Sequence, residues 1–216
     1  PPPPPPPRPP PPPPPPMAKL YFRYGTMDSA KTLNLLAVAH NYRKQGKRVL
    51  LLKPSLDDRF GAGAIRSRSG LEAPADWLVG DAPLDLARFE GLDAALVDEA
   101  QFLGPSVVEA LRDVTRSHGV PVLCYGLRTD FQGRLFPGSQ RLLELADTIE
   151  EVKVTCQFCK KKAILNLRTD AEGQAIAEGP QVELGGDERY VPACYACYRE
   201  RVWAAREAAG REGLWD

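Results

Sequence analysis

The chain has 216 residues, with 28 basic and 28 acidic side chains. A net charge of zero argues against a protein that coats nucleic acid, and no nucleic-acid partner is expected. No apolar run reaches the roughly eighteen residues a spanning helix needs, and no charged-then-apolar leader follows Met17, so a cytoplasmic location is expected with no membrane partner.

Residues 1–16 are fifteen prolines and Arg8. Such a run has nothing to bury and favours extended polyproline II. It is read as an artefact ahead of Met17, with a ligand for a proline-reading domain as the alternative. The remaining 200 residues suffice for one α/β domain with a small appendage. The expected division is a P-loop α/β domain over 17–154, a zinc-binding lobe over 155–200 and a C-terminal helix or tail over 201–216.

The apolar run at 19–24 predicts a buried strand ending at Gly25. After a loop, Thr32, Leu35, Leu36, Ala39 and Tyr42 share one helical stripe, closed by Gly46. Residues 48–54 predict a second strand, stopped at Pro54, and 55–70 a long polar loop. Residues 95–99 predict another strand. Pro105 opens a helix with Val107, Val108, Leu111 and Val114 on one face. Residues 120–126 predict a further strand, 127–139 a loop and 141–146 a short helix. Strand and helix alternation implies a mostly parallel sheet with helices on both faces. From 156 to 197 the texture changes to short alternating runs, 163–167 and 181–184, between cysteine pairs.

Gly25-Thr26-Met27-Asp28-Ser29-Ala30-Lys31-Thr32 sits between strand and helix, where a P-loop belongs. Backbone N–H groups there would wrap phosphate, Lys31 would reach the β- and γ-phosphates, and Thr32 would ligate Mg²⁺. Ala30 stands where the motif has glycine, and its methyl could crowd the phosphates or resist the required backbone angles. Asp28 adds negative charge nearby. Taken alone, the stretch also fits an ordinary strand–turn–helix with a surface lysine. At 95–99 an apolar run ends in Asp98 and Glu99. One carboxylate can hold the Mg²⁺ water shell, and the other can accept a proton from an attacking hydroxyl. Two solvated acids at a strand end would be the plain alternative. Cys156/Cys159 and Cys194/Cys197 form two CxxC pairs separated by 34 residues. Four thiolates suit a closed, structural tetrahedral Zn²⁺ site that would turn the intervening chain into a pinned lasso. Redox pairs or plain buried cysteines are the alternative. Cys124 stands apart and reads as a small core hydrophobe.

The segments LYFRYGTM, RVLLLKP, DDR, LVDEAQF, CYGLRTDFQG, LLELAD and GGDERY, with both CxxC pairs, closely resemble the type II (zinc-containing) thymidine kinases of bacteria, animals and some viruses. The resemblance runs from about Lys19 to Cys197 and points to a bacterial member. It implies a RecA-like P-loop fold with a small zinc-held lasso, and ATP-dependent phosphorylation of the thymidine 5′-hydroxyl in pyrimidine salvage, with deoxyuridine as a second acceptor. By the same resemblance Glu99 matches the general base and Asp98 the metal-associated acid. Lys31, Thr32, Asp57, Arg59 and Gln101 join the loop residues at the ATP side. Met27, Leu127, Phe131, Phe136 and Tyr190, with the backbone of Gln181, Val182, Glu183, Leu184 and Gly185, match the thymidine site. The resemblance further implies a homotetramer and feedback inhibition by dTTP. A competing reading is a catalytically impaired P-loop protein serving as a regulator or nucleic-acid-binding module, for which Ala30 is the main support.

Overall fold

The computed structural model describes residues 17–56, 63–181 and 189–210. In chain order its elements are β1 (Leu20–Tyr24), α1 (Lys31–Lys44), β2 (Val49–Pro54), β3 (Ala64–Arg66), β4 (Glu72–Pro74), β5 (Trp77–Val79) and β6 (Ala94–Val97). There follow α2 (Pro105–Ser117), β7 (Val122–Gly126), α3 (Pro137–Leu145), β8 (Thr148–Glu151), β9 (Leu165–Thr169), β10 (Arg189–Ala193) and α4 (Tyr195–Ala208).

Six strands make one sheet in the order β5-β2-β6-β7-β1-β8, and every neighbouring pair is parallel. A parallel sheet covered on both faces needs apolar residues at every position, which explains the unbroken runs in β6 and β7. Alternate residues then serve opposite layers. Phe22, Leu52, Val97 and Cys124 pack with Val108 and Leu111 of α2 and Leu142 of α3. Leu51, Leu96, Leu123 and Tyr125 pack with Leu35, Leu36 and Ala39 of α1. Burial of each such leucine contributes roughly 1.5–3 kcal/mol, so the apolar stripe fixes α1 on the sheet. Arg43 and Lys44 in the last turn of α1 complement the helix dipole, and Gly46, at φ +75°, closes it. Cys124 is fully buried, and that burial pushes its thiol pKa well up, as suits a core hydrophobe.

Two expected features shift, and the edge strand β5 is an addition to them. The stretch read as a loop over 55–70 contains β3, which pairs antiparallel with β4. Three-residue strands are too short to show a period, and only the turn residues between them carried a signal. The edge strand β5 has the same cause. The helix expected at 141–146 starts instead at Pro137, because proline is preorganised for the first helical position. Gly138 allows this: a Cβ there would lie 2.5 Å from the Leu103 carbonyl oxygen.

β9 and β10 pair antiparallel beside α4. Their small core contains Leu165, Leu167, Ala193, Tyr198 and Val202, together with Cys156 and Cys194. Among the described residues, several hydrogen bonds tie this unit to the sheet's loops. Arg128 Nη2 donates to the Ile164 carbonyl (3.2 Å), and the Met27 amide donates to Asn166 Oδ1 (2.7 Å). Tyr198 Oη donates to the Phe131 carbonyl (2.6 Å), and Gln181 Nε2 to Asp130 Oδ2 (2.9 Å). The run expected at 181–184 lies outside the described residues beyond Gln181.

Candidate active site

In a parallel sheet the ligand crevice opens at the carboxyl ends of the strands. Here β1, β7 and β6 are neighbours, so the chain leaving each one enters the same corner. β1 leads into residues 25–32, β6 into Asp98 and Glu99, and β7 into Leu127.

The loop is tightly folded. A Cβ at Gly25 would lie 2.4 Å from Ser29 Oγ and 2.5 Å from the Val152 carbonyl oxygen, so only glycine fits. Asp28 and Ala30 are both left-handed, at φ 61° and 60°. Ala30 is exposed and forms the residue just before α1. Lys31 Nζ braces the loop by donating to the Thr26 carbonyl (2.7 Å) and Ser29 Oγ (3.3 Å). Removal from water pulls its pKa down to about 8, although the Glu99 and Asp98 carboxylates favour the charged form.

Asp98 is buried, and Thr32 Oγ1 donates to its two carboxylate oxygens at 3.1 and 3.2 Å. Burial, and then the neighbouring Glu99, push Asp98 up to about 7. Glu99 is the third left-handed non-glycine residue, at φ 50°. Such backbone costs free energy and marks a place where the surroundings dictate geometry. Its carboxylate accepts a 2.5 Å hydrogen bond from Gln101 Nε2. The other end of the Gln101 amide accepts from the Leu127 N–H at 3.0 Å. Gln101 therefore orients Glu99 and joins the chain leaving β6 to that leaving β7. The close approach requires Gly126, where a Cβ would lie 2.6 Å from Gln101 Oε1.

Met27, Asp28, Ser29, Ala30, Lys31, Thr32 and Glu99 line one cleft of about 260 Å³. The β3–β4 hairpin supplies the opposite wall through Arg66, Ser67, Arg68 and Ser69. Sequence reasoning missed that wall; the Ser67–Gly70 turn signal could have found it. Asp57 and Arg59 lie outside the described residues.

A second cluster borders the small unit. Leu127, Phe131 and Phe136 are buried, while Met27 and Tyr190 are half-buried. The rings of Phe131 and Tyr190 meet edge-on at 6.4 Å, and those of Phe102 and Phe136 at 5.7 Å. Gln181 reaches this cluster through Asp130. Val182, Glu183, Leu184 and Gly185 lie outside the described residues. Asn166, absent from the expected set, is buried between this cluster and the loop.

The sulfur atoms of Cys156, Cys159, Cys194 and Cys197 all lie within 4.8 Å of one another. That spread suits four thiolates around one tetrahedral ion, so the cluster could hold zinc. The Phe158 and Lys161 amides donate to Cys156 Sγ and Cys159 Sγ at 3.4 and 3.5 Å.

The loop at the start of α1 shares its cleft with the Glu99 carboxylate, which Gln101 links to Leu127 of the aromatic cluster. Residues 18–198 match the family model described as "Thymidine kinase". The chain is 48% identical over 190 residues to a thymidine kinase of Xanthomonas oryzae pv. oryzae, covering 85% of this chain and 90% of that protein. It is 45% identical over 184 residues to one of Chromobacterium violaceum, covering 84% and 98%. It is 45% identical over 196 residues to one of Rhodopirellula baltica, covering 88% and 92%. Among solved structures it is similar to a Pif1 helicase of Candida albicans, with TM-score 0.39, 9% identity and coverage of 62% and 36%. The chain belongs to the thymidine kinase family. The regulatory alternative gains no support from these relatives.

Proposed function

We propose that the chain moves the γ-phosphate of ATP to the 5′-hydroxyl of thymidine, giving thymidine monophosphate. The observation that carries this reading is the placement of the Glu99 carboxylate, oriented by Gln101, on the same cleft as Lys31 and Thr32. The thymidine 5′-hydroxyl donates its proton to Glu99 as the oxygen attacks phosphorus. Breaking the bond to the β–γ bridging oxygen releases ADP. Lys31 and the loop N–H groups bind the phosphate chain and hold it in line, and charge stabilisation rather than covalent chemistry lowers the barrier. Thr32 and Asp98 would hold the Mg²⁺ that accompanies ATP, which would neutralise charge on the phosphates. The buried carboxylate and the hydroxyl already facing it are the hard oxygen donors that such an ion takes.

Met27, Leu127, Phe131, Phe136 and Tyr190 enclose the base, and the backbone from Gln181 to Gly185 reads its edge. Asp57 and Arg59 complete the donor side. Residues 17–154 form the donor domain and 155–200 the lasso, whose four cysteines take one structural Zn²⁺. Deoxyuridine as a second acceptor, dTTP as inhibitor, a homotetramer and a cytoplasmic location complete the proposal. Radiolabelled thymidine with Mg-ATP, scored for thymidine monophosphate, tests it. Absence of product from zinc-loaded protein would refute it.

A further inference from the structure

The wall built by the β3–β4 hairpin brings a cation to the phosphate loop. Arg68 sits at the hairpin tip, and its Nη1 forms an ion pair with Asp28 Oδ1. Its Nη2 lies 3.8 Å from Met27 Sδ. The tip is firmly placed. Ser67 N donates to the Leu71 carbonyl at 2.8 Å and Gly70 N to the Ser67 carbonyl at 3.0 Å. Below the tip, Ile65 is buried in the α1-side core, and buried Lys53 donates to the Ala64 carbonyl at 2.9 Å.

The charges of the cleft give this contact a purpose. Among the described lining residues, the acids are Asp28 and Glu99, with Asp98 directly behind Thr32. The cations are Lys31, Arg66 and Arg68. Arg66 is committed to Glu72, its cross-strand partner, at 2.7 Å. Lys31 alone would face three carboxylates, a poor receptor for a polyanion. A guanidinium has five donors in a fixed fork, and one carboxylate oxygen occupies only part of it. Among the described residues the rest of the Arg68 fork meets only the weak acceptor Met27 Sδ, 3.8 Å from Nη2.

We infer that Arg68 is a further phosphate-binding residue of the donor site, and that Asp28 is its positioning residue. Asp28 thus orients a cation from the opposite wall across the phosphates. The inference rests on the reading of this cleft as the ATP site.

The test measures Michaelis constants for ATP and thymidine in the zinc-loaded full chain. Calorimetric binding of inorganic tripolyphosphate accompanies it. Arg68→Ala is expected to raise the ATP Michaelis constant and weaken tripolyphosphate by about tenfold, the effect of one charge-assisted hydrogen bond. The thymidine constant stays within about twofold, and Arg68→Lys recovers part of the loss, because lysine keeps the charge without the fork. Asp28→Asn weakens ATP by a smaller factor and adds nothing in the Arg68→Ala background, as a partner acting only through Arg68 must. Unchanged ATP and tripolyphosphate binding in Arg68→Ala overturns the proposal. An equal rise in both Michaelis constants also does so, since it marks a structural role. Tighter ATP binding in Asp28→Asn shows that Asp28 merely repels phosphate and overturns the positioning role. If the unmutated chain neither binds tripolyphosphate nor uses ATP, the parent reading fails and takes this one with it. If it does both and Arg68→Ala does too, only the Arg68 assignment fails.

Discussion

Ala30→Gly probes the backbone of the phosphate loop. Ala30 stands at φ 60° and ψ 28°, a left-handed conformation. For a residue with a Cβ that conformation costs about 1–2 kcal/mol, whereas glycine adopts it freely. The methyl is exposed, so its removal forfeits little packing. Glycine does widen the unfolded ensemble, which opposes the gain by about 0.4–1 kcal/mol. The balance favours the variant by about 0.5–1 kcal/mol, or about 1–4 °C in Tm for a domain of this size. The same methyl lines the cleft. The ATP Michaelis constant should therefore fall while that of thymidine holds. Thermal unfolding of the zinc-loaded protein and initial-rate kinetics read the two effects. A lower Tm with unchanged ATP kinetics would refute the reasoning, because it would mean that the loop accommodates alanine without strain.

Glu99→Gln should reduce turnover by about 10²–10⁴ while thymidine still binds, because the amide keeps the contact with Gln101 but takes no proton; retention of half the activity would exclude Glu99 as the base. Metal analysis should find one Zn²⁺ per chain, and Cys194→Ser should release it. The thymidine Michaelis constant should then rise more than that of ATP. The reason is the placement of Tyr198 and Gln181, which tie the cysteine-bearing unit to Phe131 and Asp130, whereas among the described residues its bond to the phosphate loop is that from the Met27 amide to Asn166. Equal rises would show that the unit supports both sites alike.

The sheet was legible because a parallel strand buried on both faces leaves an unbroken apolar run, as in 94–97 and 122–126. The phosphate loop and the acids after β6 were legible for a related reason: phosphate chemistry demands particular residue types at fixed spacing after such strands. The strand order was not legible, although it alone places Leu127 beside Glu99. The hairpin with Arg68 escaped because its strands are three residues long, and its contact with Asp28 spans forty positions. Asn166 escaped too, because a buried asparagine in a strand has no local signature, and its partner is a backbone amide far away in sequence. Gln101 was expected at the donor side from resemblance. Its position between Glu99 and the Leu127 amide depends on tertiary closeness that only Gly126 permits.

The hydrogen bond from the Met27 amide to Asn166 has a consequence for the order in which the site is assembled. The six-stranded sheet can form from residues up to 151, but the loop between β1 and α1 gains this contact only when β9 docks. β9 belongs to the cysteine-bearing unit, whose small core includes two of the metal-competent thiols. Metal capture should therefore precede the final setting of the phosphate loop, and a chain short of zinc would hold a finished sheet with an unfinished cradle. Hydrogen exchange can see this directly: chelation should deprotect the Met27 amide while leaving the β7 amides protected. Equal protection at Met27 with and without metal would show that the loop sets independently.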